Sequence, residues 1–274
     1  MKNAKDLYFP VEKVEMSEYG FNSISSAEYG IVAFLNGSDK PTLLNTCSDR
    51  YELIRNDQIF PEIERILKNS KVKYETSYRM EEYSRFVVEF RLTNDHFSVQ
   101  SGKDVVLPVI RVTHSYNGLY KYSINFGYFR LICENGMTIP VPGQDNLSIA
   151  GKHTSQILDS FKQLNEKLEM FLTIKDLAKD NMKKMSDTWI KDWHNRMLEV
   201  MTVASINDKE TNTDAIELSV LKEINRLQTD DKVNEWMLYN AINEGYIFNN
   251  EINKIHEAKR YDLDSKVLLY MTQS

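Results

Sequence analysis

Cysteine, proline and glycine are scarce in this chain, whose 274 residues include two cysteines, six prolines and ten glycines. Cys47 and Cys133 are too few for a disulfide framework or a cysteine-rich metal cluster, so we expect reduced thiols in an intracellular protein. The shortage of proline and glycine argues against a flexible linker or a repeat array. No apolar run approaches the roughly 18 residues that a membrane helix needs, and the N-terminus lacks the apolar core of a signal peptide. We therefore expect a cytoplasmic protein without membrane association.

A general excess of positive charge is also missing, because the net charge is −6. Most of the deficit lies in residues 154–274, where 16 Lys and Arg face 21 Asp and Glu, giving −5. This balance argues against a protein that binds nucleic acid by bulk charge alone. A local basic region remains between residues 105 and 153, where four cations face two anions. The four cations are Arg111, Lys121, Arg130 and Lys152.

The first half of the chain has the periodicities of one helix and several strands. Apolar residues recur every three or four positions from Asp57 to Lys68, which predicts an amphipathic helix. The period changes to two in residues 71–139, which predicts a curved antiparallel sheet of four to six strands. Asn117-Gly118 predicts a type I′ hairpin turn, in which both central residues have positive φ.

The second half has a helical pattern from Ser155 onward. Trp189 and Trp193 fall one helical turn apart on an apolar stripe, which indicates a packing face or an oligomer contact. Further helices are predicted up to Asn243, with Asp230 or Asp231 as the N-cap of the last. The predicted fold class is α+β, with a sheet core in residues 1–150 and a helical region in residues 151–274 that form one continuous unit.

Sequence signatures of catalysis are absent. The chain has no phosphate-binding glycine loop, no dinucleotide fingerprint and no metal-ligand spacing, and its histidines are scattered. Ser115 follows His114 directly, and adjacent strand residues point to opposite faces, so a Ser-His pair is not expected there. We therefore predict a non-enzymatic protein without metal or cofactor.

Four segments carry a resemblance. They are Ser48-Asp-Arg-Tyr-Glu-Leu-Ile-Arg-Asn56, Val106-Leu-Pro-Val-Ile-Arg-Val-Thr-His-Ser-Tyr-Asn-Gly118, Phe129-Arg-Leu-Ile-Cys-Glu-Asn-Gly-Met137 and Trp236-Met-Leu-Tyr-Asn-Ala-Ile-Asn-Glu244. In this order they resemble the phage/plasmid-like protein family, a domain of unknown function found in phages and mobile elements. The resemblance implies a phage or mobile-element protein that handles DNA in the cytoplasm of an infected or plasmid-bearing bacterial host.

The matched positions give a set of candidate residues. They are Arg50, Tyr51, Asn117, Gly118, Cys133, Asn135 and Gly136. The last three have a second interpretation, in which Cys133 is a small buried hydrophobe and Asn135-Gly136 forms a turn.

Cations and aromatic residues alternate between residues 111 and 130, which suits single-stranded nucleic acid because the cation contacts phosphate and the ring stacks on a base. The candidate binding residues are Arg111, Lys121, Arg130, Tyr120, Tyr128, Lys152 and His153. The alternative is that alternation buries half of the rings in the core and leaves the cations in solvent. For Arg130, pairing with a carboxylate is a further interpretation.

Two functions follow from these patterns. The first is binding of single-stranded DNA by a homo-oligomer, as a recombination, strand-annealing or replication accessory factor. The second is a structural or protein-interaction module that binds a phage or host protein through its helical half. Salt-dependent binding to single strands would distinguish the first from the second.

Overall fold

The structure is a computed structural model that describes residues 4–20, 28–35, 40–99, 103–131, 138–140, 149–151, 157–207, 209–249 and 257–273. Within these residues, helices and antiparallel sheets form an α+β fold, which confirms the predicted class.

The strands form two sheets, and their order in each is known. β1, β2 and β3 form a three-stranded sheet in that order, and β10, β8, β7, β5 and β4 follow one another in a larger sheet, with β6 beside β7 and β9 beside β8. The strands are β1 (Val11–Glu15), β2 (Tyr29–Ala33), β3 (Thr42–Cys47), β4 (Tyr74–Glu81), β5 (Arg85–Leu92), β6 (Phe97–Val99), β7 (Asp104–Ser115), β8 (Tyr122–Arg130), β9 (Thr138–Pro140) and β10 (Ile149–Gly151).

One helix precedes the larger sheet, and the others follow it. They are α1 (Asn56–Asn69), α2 (Ile157–Asp187), α3 (Trp193–Val203), α4 (Glu210–Leu227), α5 (Glu235–Ile242) and α6 (Glu257–Gln273). A π-helical turn, Asn243–Ile247, continues α5. The predicted helix from Asp57 to Lys68 is confirmed as α1.

The chain forms two compact units, each assembled from three segments. The first unit contains residues 1–94, 109–126 and 146–171, and the second contains residues 95–108, 127–145 and 172–274. The boundary predicted at residue 150 marks the change from strands to helices along the sequence. It stays a prediction.

The core of the first unit is built by alternation along its strands. Phe86 and Phe90 of β5 and Val112 of β7 point to one face and are fully buried. Two aromatic contacts cover this face with α2. Tyr122 lies 6.5 Å from Phe161, and Phe126 lies 5.3 Å from Phe171, between ring centroids.

The core of the second unit surrounds α5. All eight residues of this helix are buried, because it packs against α3, α4 and α6. At Gly245, in the π-helical turn, the backbone of α4 comes so close that an ideal Cβ would lie 2.7 Å from the Ala215 carbonyl oxygen. A helix that is buried on every side is expected only where neighbouring elements enclose it completely.

The turn prediction at Asn117-Gly118 is wrong in detail. Gly118 has a φ of 73°, but Asn117 is not among the residues with positive φ, so the turn is not type I′. The connection has six residues, 116–121, and the Asn117 side chain accepts a hydrogen bond from the Leu119 N–H at 3.2 Å. Because this side chain imitates a backbone turn, only the glycine needs the left-handed region.

Two predictions for the helical half are also wrong. Trp189 and Trp193 do not share a helix, because α2 ends at Asp187 and α3 begins at Trp193. The N-cap of α5 is Asn234, whose side chain accepts from the Met237 N–H at 2.9 Å, and not Asp230 or Asp231. Both aspartates instead have left-handed backbone, with φ of 51° and 60°. The segment between α4 and α5 therefore turns before the cap is reached.

Candidate functional site

Two strand connections of the first unit meet at one end of its sheet. Arg85, at the start of β5, pairs with Ser115, at the end of β7, so the β4–β5 and β7–β8 connections lie side by side. The Tyr116 N–H donates to the Ser84 carbonyl oxygen at 2.7 Å, and the Asn117 amide donates to the Ser84 hydroxyl at 3.0 Å. These bonds fix one connection against the other.

The N-terminus of α1 lies against the same connections. The residue before the helix, Arg55, carries a side chain that can only donate hydrogen bonds, so it cannot cap the helix in the usual way. The Tyr116 hydroxyl takes this role, because it accepts the Asn56 N–H at 3.0 Å. Burial raises the pKa of Tyr116 well above its ordinary value, which keeps the phenol in its neutral form. Helix α1 is thus capped by a residue 60 positions later in the sequence.

The segment that precedes α1 is held by Lys13 of β1. The Lys13 ammonium donates to the carbonyl oxygens of Asp49 at 2.7 Å and Tyr51 at 2.9 Å. Tyr51 is half-buried, and burial raises its pKa. Arg50 lies between these two anchored carbonyls, and its side chain is exposed.

The β7–β8 connection is fixed in a similar way. The Ser115 hydroxyl accepts from the Tyr120 N–H and donates to the Tyr120 carbonyl oxygen, at 2.9 Å in each case. Tyr120 is half-buried, and Lys121 is exposed. We call Arg50, Tyr51, Asn117, Gly118, Tyr120 and Lys121 the loop-end site. The hydrogen bond from the Asn56 N–H to the Tyr116 hydroxyl links the first two segments that carry the family resemblance.

Arg111 lies elsewhere in the first unit, buried inside the sheet. It pairs with Glu89 directly opposite on β5, and its Nε donates to that carboxylate at 2.9 Å. Ser77 on β4 and Arg91 also donate to Glu89. Burial acts to raise the pKa of Glu89, but the charges and hydrogen bonds of the two arginines outweigh it and lower the pKa overall. Arg111 is therefore part of a closed ionic row and does not form an open basic surface.

Arg130 belongs to the second unit and is fully buried in an ionic network. Its two terminal nitrogens each donate to Glu223 of α4 at 2.8 Å, and its Nε donates to Asp104 of β7. The Trp236 indole donates to the same Asp104 oxygen at 2.8 Å. Burial raises the pKa of Asp104, and the Arg130 charge and the Trp236 hydrogen bond offset this only in part.

The network continues toward the surface of the second unit. Arg226 binds both Glu223 and Glu244, and Lys222 binds Glu244 at 3.1 Å. Three cations (Lys222, Arg130 and Arg226) thus face three carboxylates (Asp104, Glu223 and Glu244). Residues of the third and fourth resembling segments, Arg130 and Trp236, converge in this network, as the first two segments do at the loop-end site.

The expected row of cations and rings across the sheet is therefore divided. Arg111 and Arg130 are buried in ion pairs, and Tyr128 is buried as well, whereas Tyr120 and Lys121 reach the surface. Alternation turns half of the side chains into the core, as the alternative interpretation expected for the rings. Its expectation that the cations stay in solvent is wrong for Arg111 and Arg130, which are buried with carboxylate partners. Lys152, His153, Cys133, Asn135 and Gly136 lie outside the described residues.

Sequence reasoning missed Asp104 and Glu223, the two acidic partners of Arg130. A signal for Glu223 exists, because it stands between Val220 and Leu227 at helical spacing in an otherwise apolar stripe. A carboxylate at a core position of an amphipathic helix predicts a buried cation partner, since an unpaired buried charge is too costly.

Among the described residues, no group of three or more His, Cys, Asp and Glu side chains is placed to hold a metal ion. None of the helices in the described parts of the chain combines the length and apolar character needed to cross a lipid bilayer.

Comparison with known proteins identifies a family. No curated protein and no solved structure gives a significant match to the chain. A family model described as a domain of unknown function, DUF932, matches residues 43–265. This range contains α1, all of β4 to β10 and α2 to α5, and hence both the loop-end site and the Arg130 network. The chain therefore belongs to the DUF932 family.

Proposed function

We propose that this protein is a non-enzymatic phage or mobile-element protein that binds single-stranded nucleic acid at the loop-end site. The observation that carries the proposal is the convergence of two distant segments, residues 48–56 and 116–121, on one capped helix N-terminus. Arg50 belongs to the first segment and Lys121 to the second. Both are exposed, and neither forms an ion pair with a residue that the structure describes. Tyr120 stands beside Lys121, so a phosphate contact and a base contact can come from adjacent residues.

The charges around the site limit how much electrostatic attraction it can supply. Asp49 and Glu52 flank Arg50 and are exposed. Two phosphate contacts, from Arg50 and Lys121, would give a logarithmic salt slope of about −1.4 for a single strand. The proposed binding is therefore moderately sensitive to salt, unlike that of a strongly basic protein.

The test is fluorescence-anisotropy titration of the full chain with labelled single-stranded DNA, duplex DNA and single-stranded RNA over a salt series. The variant R50A/K121A removes both exposed cations without disturbing a buried ion pair. The matched control R65A/K68A removes one exposed Arg and one exposed Lys toward the other end of α1. Lys68 lies twelve residues after Asn56, about 18 Å along the helix axis.

Binding to single strands with a salt slope that falls toward zero in R50A/K121A, but not in R65A/K68A, supports the proposal. If the wild-type protein binds no single strand at low salt, the proposal is wrong. Equal loss in both variants also contradicts it, because the attraction would then come from general surface charge.

The phage or plasmid setting is supported by the four resembling segments. It places the binding activity in recombination, strand annealing or replication. Annealing of two complementary labelled strands, followed by fluorescence quenching, tests this directly: the wild-type protein is expected to accelerate annealing, and R50A/K121A is expected to do so less. Single-strand binding without any acceleration would exclude the annealing role and leave a replication accessory role.

A second candidate is a protein-interaction role of the helical half, with a second copy of the chain as the partner. The observation that favours it is that Leu218 and Leu221 of α4 are 56% and 52% exposed, one helical turn apart. Large apolar residues that share an exposed helix face often mark an interface. Light scattering of wild type and L218E/L221E tests this. The substitution should convert an oligomer to a monomer, and a wild-type monomer excludes self-association through this face.

A further inference from the structure

The β4–β5 connection holds an aromatic residue in an unfavourable backbone conformation. Glu82 and Tyr83 have φ of 50° and 54°, so both occupy the left-handed region. This region suits glycine, asparagine and aspartate, and a bulky side chain such as tyrosine is an outlier there. An Asn-Gly pair would form the same connection without strain. The sequence instead places Glu-Tyr at these positions, which favours a role for the Tyr83 side chain.

The Tyr83 ring is positioned but largely open to solvent. Its centroid lies 5.7 Å from that of Phe9 at an interplanar angle of 87°, an edge-on contact. The residue is nevertheless 46% exposed. Tyr83 is therefore held by one aromatic contact, and nearly half of its surface stays open to solvent.

The neighbouring residues place Tyr83 beside the loop-end site. Ser84, the next residue, binds both the Tyr116 N–H and the Asn117 amide, which lead into the connection that carries Leu119, Tyr120 and Lys121. Leu119 is 61% exposed. Exposed aromatic and apolar side chains, beside a cation without an ion pair among the described residues, are typical of a surface on which single-strand bases stack.

We propose that Tyr83 is a base-stacking residue of the loop-end site, so that the site recognises unpaired bases and not only phosphates. This inference rests on the proposed function and names the chemical feature of the strand that is bound. In a duplex the bases are already stacked on one another, so a stacking residue at this position favours single strands over duplex.

The experiment distinguishes binding to the bases of a single strand from binding to its phosphates. Two labelled single strands of about 20 nucleotides, longer than the largest usual site size of about 16, are compared. One is oligothymidine, and the other has the same phosphate backbone with abasic sites in place of the bases. The variants are Y83N, which suits the left-handed backbone and removes the ring, and Y83F, which keeps the ring. The matched control is Y19N, since Tyr19 is 39% exposed and also packs edge-on against a phenylalanine, Phe34.

We expect wild type, Y83F and Y19N to bind oligothymidine more tightly than the abasic strand. Y83N should lose roughly 10- to 100-fold of this preference, which is the effect of one stacked base, and retain only the part that Tyr120 supplies. Its salt slope should stay that of the wild type. Its melting temperature should not fall, because asparagine relieves the backbone strain, so weak binding cannot be attributed to unfolding.

Three other outcomes would contradict the stacking role of Tyr83 or the proposed function. If Y83N keeps the wild-type preference for oligothymidine, the stacking role is overturned while the proposed function stands. If wild type binds neither strand, the proposed function itself fails. If wild type binds both strands equally with a steep salt slope, the site contacts phosphates alone, and Tyr83 is not a stacking residue.

Discussion

The guanidinium of Arg130 and the carboxylate of Glu223 form a two-point ion pair, with both N–O distances 2.8 Å, although 93 residues separate them in sequence. Neither side chain is accessible to solvent. A planar guanidinium matches a carboxylate in this way, whereas a lysine ammonium offers only a point charge. The pair therefore fixes the end of β8 relative to α4 within the second unit, and it does so with a geometry that only arginine satisfies.

Arg130→Met should destabilise the protein by about 3–5 kcal/mol, because it removes the buried cation that pairs with both Asp104 and Glu223. Glu223 then keeps only its ion pair with Arg226. Urea unfolding followed by circular dichroism measures this change. The control Arg65→Met removes an arginine that pairs with Glu62 on the exposed side of α1. We expect the control to change stability by less than about 1 kcal/mol, the usual upper value for a surface ion pair.

Arg130→Lys tests the geometry of the pair separately. Lysine keeps the charge but cannot bind Glu223 through two parallel bonds and Asp104 through a third. We expect Arg130→Lys to lose nearly as much free energy of unfolding as Arg130→Met. If lysine restores wild-type stability, the charge alone matters, and the proposed role of the planar group is wrong.

The Glu89–Arg111 pair predicts a dependence of stability on pH. Because the pKa of Glu89 is lowered in the folded protein, its contribution is complete above the ordinary glutamate pKa of about 4.3 and is lost as the pH falls through the lower folded value. Glu89→Gln should therefore cost about 3–5 kcal/mol near neutral pH, where it leaves Arg111 without its carboxylate.

The difference between wild type and Glu89→Gln should shrink as the pH falls below about 4, because protonated glutamate and glutamine are then similar. Denaturant unfolding of both proteins over a pH series measures it, with Glu52→Gln as a control at an exposed position. A difference that stays constant at all pH values would mean that the cost is one of packing and not of charge.

Tyr116→Phe tests the cap of α1. The substitution removes only the hydroxyl that accepts the Asn56 N–H. The ring stays packed against Phe86 and His114. A buried N–H without an acceptor costs about 1–2 kcal/mol. Thermal and chemical unfolding should show this loss. Tyr78→Phe is the control, since the Tyr78 hydroxyl binds Asp6 at an exposed position and its removal should cost less than about 0.5 kcal/mol.

The parts of the fold that the sequence predicts correctly are those fixed by local patterns. The spacing of Ile59, Phe60 and Ile63 predicts α1 to within one residue at each end, because an amphipathic helix needs only neighbouring residues to define its buried face. The alternation in residues 85–92 likewise predicts β5, because neighbouring residues alone define the period of a strand. The pairing of β1, β2 and β3 into a sheet was not predicted, since this pairing is not local.

The site depends on relationships that no local pattern contains. Arg130 could be assigned to a buried pair only through Glu223, and Tyr116 to the cap of α1 only through Asn56. In each case the partner lies 60 or more residues away. The turn at Asn117-Gly118 was wrong for a smaller reason, because the dipeptide favours a two-residue hairpin but the asparagine side chain closes a longer connection. Local preference places an element, and tertiary contacts decide the role of its side chains.

Gly245→Ala tests the close approach of the π-helical turn to α4. The added Cβ would lie 2.7 Å from the Ala215 carbonyl oxygen and from the Ile216 Cα, both backbone atoms that cannot move aside without shifting a helix. Overpacking of this kind costs about 1–3 kcal/mol. Gly30→Ala is the matched control, because its Cβ would meet the Leu43 Cδ1 at 2.8 Å, the mobile end of a side chain. Urea unfolding should therefore show a large loss for Gly245→Ala and a smaller one for Gly30→Ala. The reverse order would mean that the backbone of α4 moves more easily than the Leu43 side chain in the first unit. The close packing around α5 would then not be what makes glycine necessary at position 245.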